Sequence, residues 1–284
     1  MIASAKRNPA AQRGYSLIEL SVAMVIALFL LAGLVTLVMG TRKTSNTQSQ
    51  LSQLQDNERI AMTILANVIQ QAGYYPDPVH NTSSSSLPSQ TLTLSTGTIG
   101  TFAAGQALIG TYNSAAPGDV VAARFVQPVA SSDSANAIGN TIITCAGSPN
   151  TDTANTHRYI NLFLVGTGSD GQSYLQCVQV EDTGAAQTPV NLVPGLQKIQ
   201  VWYGVTRPAQ ANFDTSVNTY LTAANMASTD WANVTSVKIR LTFLMPNYGM
   251  SPSASSSVQY SSAANTTQYI ERVISVMNNA GVNT

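Results

Sequence analysis

The sequence predicts an α+β chain in which one long N-terminal α-helix packs on a C-terminal domain of antiparallel β-sheet. Three observations predict it. A basic leader gives way to an uncharged apolar run from Leu20 to Thr41. Helical spacing then continues, with no proline before Pro76. Beyond Gly73 the chain changes to short β-type runs broken by Gly, Pro, Asn and Ser.

The leader carries Lys6, Arg7 and Arg13. The run behind it, roughly 22 residues, is long enough to cross about 30 Å of hydrocarbon as a helix. A secretory signal peptide has a shorter apolar region and a small-residue cleavage site. This run is longer and ends in Met39-Gly40-Thr41-Arg42-Lys43. It fits an anchor, and the basic leader favours a cytoplasmic N-terminus. Glu19 stands at the head of the run, where a carboxylate at bilayer depth costs about 2.5–3.5 kcal/mol. Ser16-Leu17-Ile18-Glu19 matches a capping box, and an acid suits the positive end of a helix dipole.

Leu51, Leu54, Ala61, Leu65, Val68 and Ala72 continue the helical spacing. Arg42, Lys43, Asp56, Glu58 and Arg59 are expected to face outward. Gly73 is the expected C-cap, and Tyr74-Tyr75-Pro76-Asp77-Pro78 cannot continue a helix. From Tyr15 to Ala72, at about 1.5 Å per residue, the rod is roughly 90 Å long. Its first half is apolar throughout and its second half amphipathic.

In the body, strands are expected near 91–96, 119–126, 140–146, 158–166, 173–181, 197–205 and 234–245. Residues 269–277 read as a closing strand, although their spacing also fits a helix. Residues 80–90 and 249–266 read as low-complexity loops. The clearest hairpin sets Tyr159–Val165 against Tyr174–Val180 through Gly168-Ser169-Asp170-Gly171. Trp202, Tyr203, Trp231, Ile239, Leu241 and Phe243 are expected core residues. Cys145 and Cys177 allow one bridge, which an exported chain would form in an oxidising compartment; two free thiols are the alternative.

Composition narrows the function. Charged residues make up 9% and the formal net charge is zero, which leaves no electrostatic footprint for nucleic acid. A hydrophobic content of 44% is enough for a core. His80 and His157 are the only histidines, and neither has a metal-ligand neighbour at a recognisable spacing. No HExxH, GxSxG or GxxxxGK motif is present. Gly166 to Gly171 matches G-x-G-x-x-G but precedes a strand, so it reads as a hairpin turn and not a phosphate cradle. Asp214 and Asp230 flank a loop that has room for a cation, although Asp in loops is usually a turn residue. Asn81, Asn233 and Asn265 open N-x-S/T triplets that chance explains in so Asn/Thr-rich a chain. No catalysis, metal or cofactor is expected.

Gly14 followed by Tyr15-Ser16-Leu17-Ile18-Glu19-Leu20 resembles the type IV prepilin cleavage and methylation motif, with Tyr and Ser where that family usually has Phe and Thr. GYYPDP after the helix, VWYGV at 201–205 and WANVTSVKIRL at 231–241 are similar to PilW-type minor pilins. The resemblance implies three parts: a leader at 1–14, a helix at 15–73 with its transmembrane segment at about 20–41, and a periplasmic or extracellular body at 74–284. It implies cleavage by a prepilin peptidase between Gly14 and Tyr15, methylation of the Tyr15 amine, and an assembly role for Glu19. It also implies residence in the inner membrane before assembly and on the pilus afterwards. The implied partners are other minor pilins, the major pilin and a large tip adhesin. The rival readings are a pseudopilin of a type II secretion system and a membrane-anchored periplasmic binding module.

Overall fold

The computed structural model describes residues 16–94, 97–127, 144–147, 158–181, 186–207, 216–244 and 267–278. The chain divides into two compact units, residues 1–50 and 51–284.

Helix α1 runs Leu17–Gln70. In the first unit its apolar side chains lie open on every side, from Leu17 at 85% exposure to Met39 at 67%. The few polar residues there are satisfied locally. Ser21, Thr36, Thr41 and Thr44 donate their hydroxyls to the carbonyls of Ile18, Gly33, Val38 and Gly40. Such back-bonding lets Ser and Thr sit in an apolar span without an unpaired donor.

In the second unit the same helix becomes one-sided. Leu54, Ala61, Met62, Leu65, Ala66, Val68, Ile69 and Ala72 are buried at three- and four-residue spacing. Asp56 and Arg59 face solvent, as do Arg42 and Lys43 in the first unit. Glu58 corrects the sequence expectation. It is buried, because it falls four residues after Leu54 and three before Ala61, inside the apolar stripe. Gly73 follows the helix at φ 81°, a left-handed conformation that glycine adopts at little cost. Its amide donates to the Arg124 carbonyl at 2.9 Å.

Among the described residues the strands form three antiparallel sheets. β1 (Gln90–Leu94) pairs with β2 (Gly97–Phe102). A five-stranded sheet has the order β3-β4-β5-β6-β7. Its strands are β3 (Leu108–Thr111), β4 (Val120–Val126), β5 (Arg158–Thr167), β6 (Ser173–Glu181) and β7 (Val190–Pro194). A four-stranded sheet has the order β11-β10-β8-β9. It contains β8 (Leu196–Val205), β9 (Thr219–Leu221), β10 (Ser236–Leu244) and β11 (Thr267–Ser275).

The two large sheets differ in how they are covered. The five-stranded sheet is a middle layer. One face joins α1 and the four-stranded sheet in the main core, through Val121, Ala123, Phe163 and Leu175. The other face meets the β1–β2 hairpin through Ala122, Ile160, Leu162 and Val178 against Leu92 and Phe102. Burial on both faces explains why β4 and β5 read as near-continuous apolar runs and why β6 buries even Gln176 and Gln179. β10 alternates buried and half-buried residues instead, as a strand with one wet face does.

The sheets are joined at Asp119. Its carboxylate accepts from the Asn113 and Val201 amides, each at 2.7 Å, and its own amide donates to the Ile199 carbonyl at 2.9 Å. Gly118 sits at φ 93°, and a side chain there would strike that carbonyl.

The expected hairpin is present as β5 and β6, with Val165 opposite Leu175 and Gly171 at φ 77° in the turn. The closing strand is present as β11 and pairs with β10 along its whole length. Four strands went unforeseen. β2 holds two glycines, β3 is four residues long, β7 ends in proline and β9 has three residues. A short helix, α2 (Ser83–Ser86), occupies part of the expected 80–90 loop, opened by a capping box at Thr82. The expected 140–146 strand falls largely outside the described residues. Its described end, 144–146, lies in a turn closed by Gly147 N–H to the Thr144 carbonyl at 2.9 Å. The 249–266 loop and Asn265 lie outside the described residues.

Candidate assembly site

The N-terminal motif places an acid in the first turn of α1. The Ser16 carbonyl accepts from the Glu19 and Leu20 amides, at 3.0 and 3.2 Å, and so starts the helical ladder. Glu19 is exposed, and among the described residues its carboxylate has neither a hydrogen bond nor an ion pair. No Ser16–Glu19 capping box forms there. Gly14 and Tyr15 lie outside the described residues.

Around Glu19 the described part of the helix offers no cationic counterpart. Leu17, Ile18, Leu20, Val22, Met24, Val25 and Ile26 are all more than half exposed. The helix head is therefore one unpartnered negative charge on an apolar cylinder. Burying such a surface in lipid or among other apolar helices makes the carboxylate costly unless it is paired or neutralised.

In the body, Cys145 and Cys177 are bridged, with Cα atoms 6.0 Å apart. Cys177 lies in β6, and Cys145 sits in the 144–147 turn. The buried Asn161 side chain on β5 accepts the Cys145 amide at 2.8 Å. The bridge and this hydrogen bond hold the turn on the middle sheet.

The wet face of the four-stranded sheet carries a feature that the sequence reading missed. Trp202, expected in the core, lies half-buried on this outer face, because its neighbours Val201 and Tyr203 take the inward positions of β8. Lys238 stacks over the Trp202 and Tyr220 rings at 4.8 and 5.3 Å. Arg240 stacks over Trp202 and Tyr269 at 5.3 and 4.9 Å. Glu271 ties the pair together, 2.7 Å from Arg240 and 3.9 Å from Lys238. The alternation of Lys and Arg with Val, Ile and Leu in β10 is the signal that marks this face. Trp231 is also half-buried and meets the buried Tyr203 ring edge-on at 4.7 Å.

Asp230 is held by Arg207 in an ion pair, and it accepts the Ala227 amide. The Arg207 hydrogen bond draws its carboxyl below the ordinary range. It is therefore occupied as a structural clamp; Asp214 lies outside the described residues. His80 is exposed and pairs with Asp77 at 2.9 Å, and His157 also lies outside them. Among the described residues, no three His, Cys, Asp or Glu side chains gather as metal ligands would.

Residues 9–35 match the family model described as "Prokaryotic N-terminal methylation motif". Residues 162–278 match the model for "Type IV Pilus-assembly protein W". No curated protein matches the chain. Among solved structures, a type IV-like pilin from Thermus thermophilus aligns at 16% identity with a TM-score of 0.41, covering 80% of this chain and 97% of that one. With a methylation-type N-terminus on a long apolar helix and a PilW match over residues 162–278, the chain is similar to type IV pilin-like proteins of the PilW type.

Proposed function

We propose that this chain is a minor pilin that takes part in type IV pilus assembly, initiating the filament and lying near its tip. The apolar half of α1 holds the subunit in the inner membrane until assembly. A prepilin peptidase cuts between Gly14 and Tyr15, and the new Tyr15 amine is methylated. In the filament, α1 buries its apolar surface among neighbouring helices, and Glu19 pairs with the Tyr15 amine of an adjacent subunit. Other minor pilins, the major pilin and a large tip adhesin are the partners.

The observation that supports this reading is the free carboxylate of Glu19 on a helix with apolar side chains all around it. A plain anchor has no use for that charge. A subunit that must find one axial register does, because a misplaced neighbour leaves the charge buried and unpaired.

Glu19→Ala tests it. The variant should accumulate in the inner membrane at least as well as the parent and reach sheared filaments about tenfold less or worse, the loss of one modest ion pair or more. Filaments that contain the variant at parental levels would remove the assembly role of Glu19. A defect in secreted proteins with normal pili would instead favour a pseudopilin.

A further inference from the structure

Among the described residues, β11 has a strand neighbour on one side only, since it closes the order β11-β10-β8-β9. Antiparallel ladders alternate bonded and non-bonded positions. The Val276 amide donates to the Thr235 carbonyl at 2.9 Å, and the register runs unbroken from Ser236↔Ser275 to Leu244↔Thr267. Residues 268, 270, 272 and 274 therefore spend their backbone groups on β10. Thr267, Tyr269, Glu271, Val273 and Ser275 turn theirs to the open edge. The strand is free of proline, glycine and bulges. Most proteins blunt an edge this long.

The occupant of such an edge is dictated by its chemistry. A row of unspent N–H and C=O groups accepts an extended chain. The side chains refine the choice. On the core-side row, Ile270, Arg272 and Ile274 stand opposite the buried Leu241, Ile239 and Val237. Arg272 is thus a cation between two isoleucines in an inward row. It is exposed and has no ion pair or hydrogen bond among the described residues. An inward charge on an edge strand rejects indiscriminate pairing.

A second copy is a poor fit. A two-fold pairing over the full strand sets Glu271 opposite its own copy, and centring it one residue on sets Arg272 against Arg272. Like charges directly opposite are destabilising. On the outer row, Arg240 stacks on Tyr269 and pairs with Glu271, which holds the edge in its extended form.

We propose that the open edge of β11 receives an extended segment of another protein as a fifth strand of this sheet. That segment presents apolar, carboxylate and apolar side chains on its core-side row, and the carboxylate meets Arg272. The proposal deepens the assembly reading and rests on it.

The test uses the full chain, isolated in detergent micelles and recovered in sheared filaments. The amides of Tyr269, Glu271 and Val273 should exchange freely in the isolated chain and at least about tenfold more slowly in filaments. Val273→Pro removes an edge-facing N–H without taking a donor from β10. It should fold, insert and yet lower pilus yield to that of the deletion strain, whereas Val273→Thr, which keeps the N–H, should assemble normally. Arg272→Glu should fail and Arg272→Lys succeed. Protection already present in the isolated chain would overturn the proposal, assigning the edge to a segment of this chain or to a second copy. Normal pili from both Val273→Pro and Arg272→Glu, in a system where the deletion abolishes them, would overturn it while leaving the assembly reading intact. Normal pili from the deletion itself would bring down that reading, and this proposal with it.

Discussion

Glu58 and Arg124 are two buried charges with opposite fates. Glu58 lies in the apolar stripe of α1, and its Oε1 has no hydrogen-bond partner. Burial pushes its carboxyl above the ordinary value of 4.5. The folded state therefore binds this proton more tightly than the unfolded chain does. Its contribution is full below pH 4.5 and is lost as the pH rises through the raised value. Glu58→Gln should stabilise the body at pH 7.5 by about 1 kcal/mol and make no difference near pH 4, as melting curves at the two pH values would show. An equal gain at both pH values would refute a charge effect. Arg124 is fully buried but well held. Its guanidinium donates to the carbonyls of Gln106, Pro88, Leu87 and Ala103 at 2.6 to 3.1 Å and lies 4.5 Å from the centre of the Phe102 ring. Burial, with help from Arg158, lowers its pKa to about 10, so it stays charged at neutral pH. Arg124→Met would leave those carbonyls without their donor and should cost about 3 kcal/mol or more in urea unfolding.

At the scale of elements, the 144–147 turn depends on one covalent tie. The Cys145–Cys177 bridge closes a separation of 32 residues. In the chain-entropy model it stabilises by about 3–4 kcal/mol. Cys145→Ser with Cys177→Ser should therefore lower the melting temperature by roughly 10 °C. A melting temperature unchanged by reduction would show that the bridge adds nothing to stability. What the sequence revealed of the elements follows from how each is buried. α1 and β10 carry long periodicities, and β5 and β6 are long β-type runs joined by a glycine turn, so a local reading finds them. β3 and β9 are short, and β2 and β7 contain glycine or proline, so their pairing comes from neighbours that no local pattern names. The same limit explains the two misread side chains. Glu58 looks like a surface acid until the stripe around it is known, and Trp202 looks like core until the parity of β8 is fixed by Val201 and Tyr203.

For the whole molecule, the N-terminal methylation motif was legible, because its acid and apolar run are local features of sequence. The edge of β11 was not, since an open edge exists only once the order of strands is known. The central claim is that this body is carried into a pilus by its helix. The most direct measurement is surface pilus yield, by shearing and quantifying filaments from a clean deletion strain beside the same strain complemented with the parent chain and with Glu19→Ala. The account predicts that pili are lost on deletion, restored by the parent and not restored by Glu19→Ala. Undiminished pili in the deletion strain would contradict it.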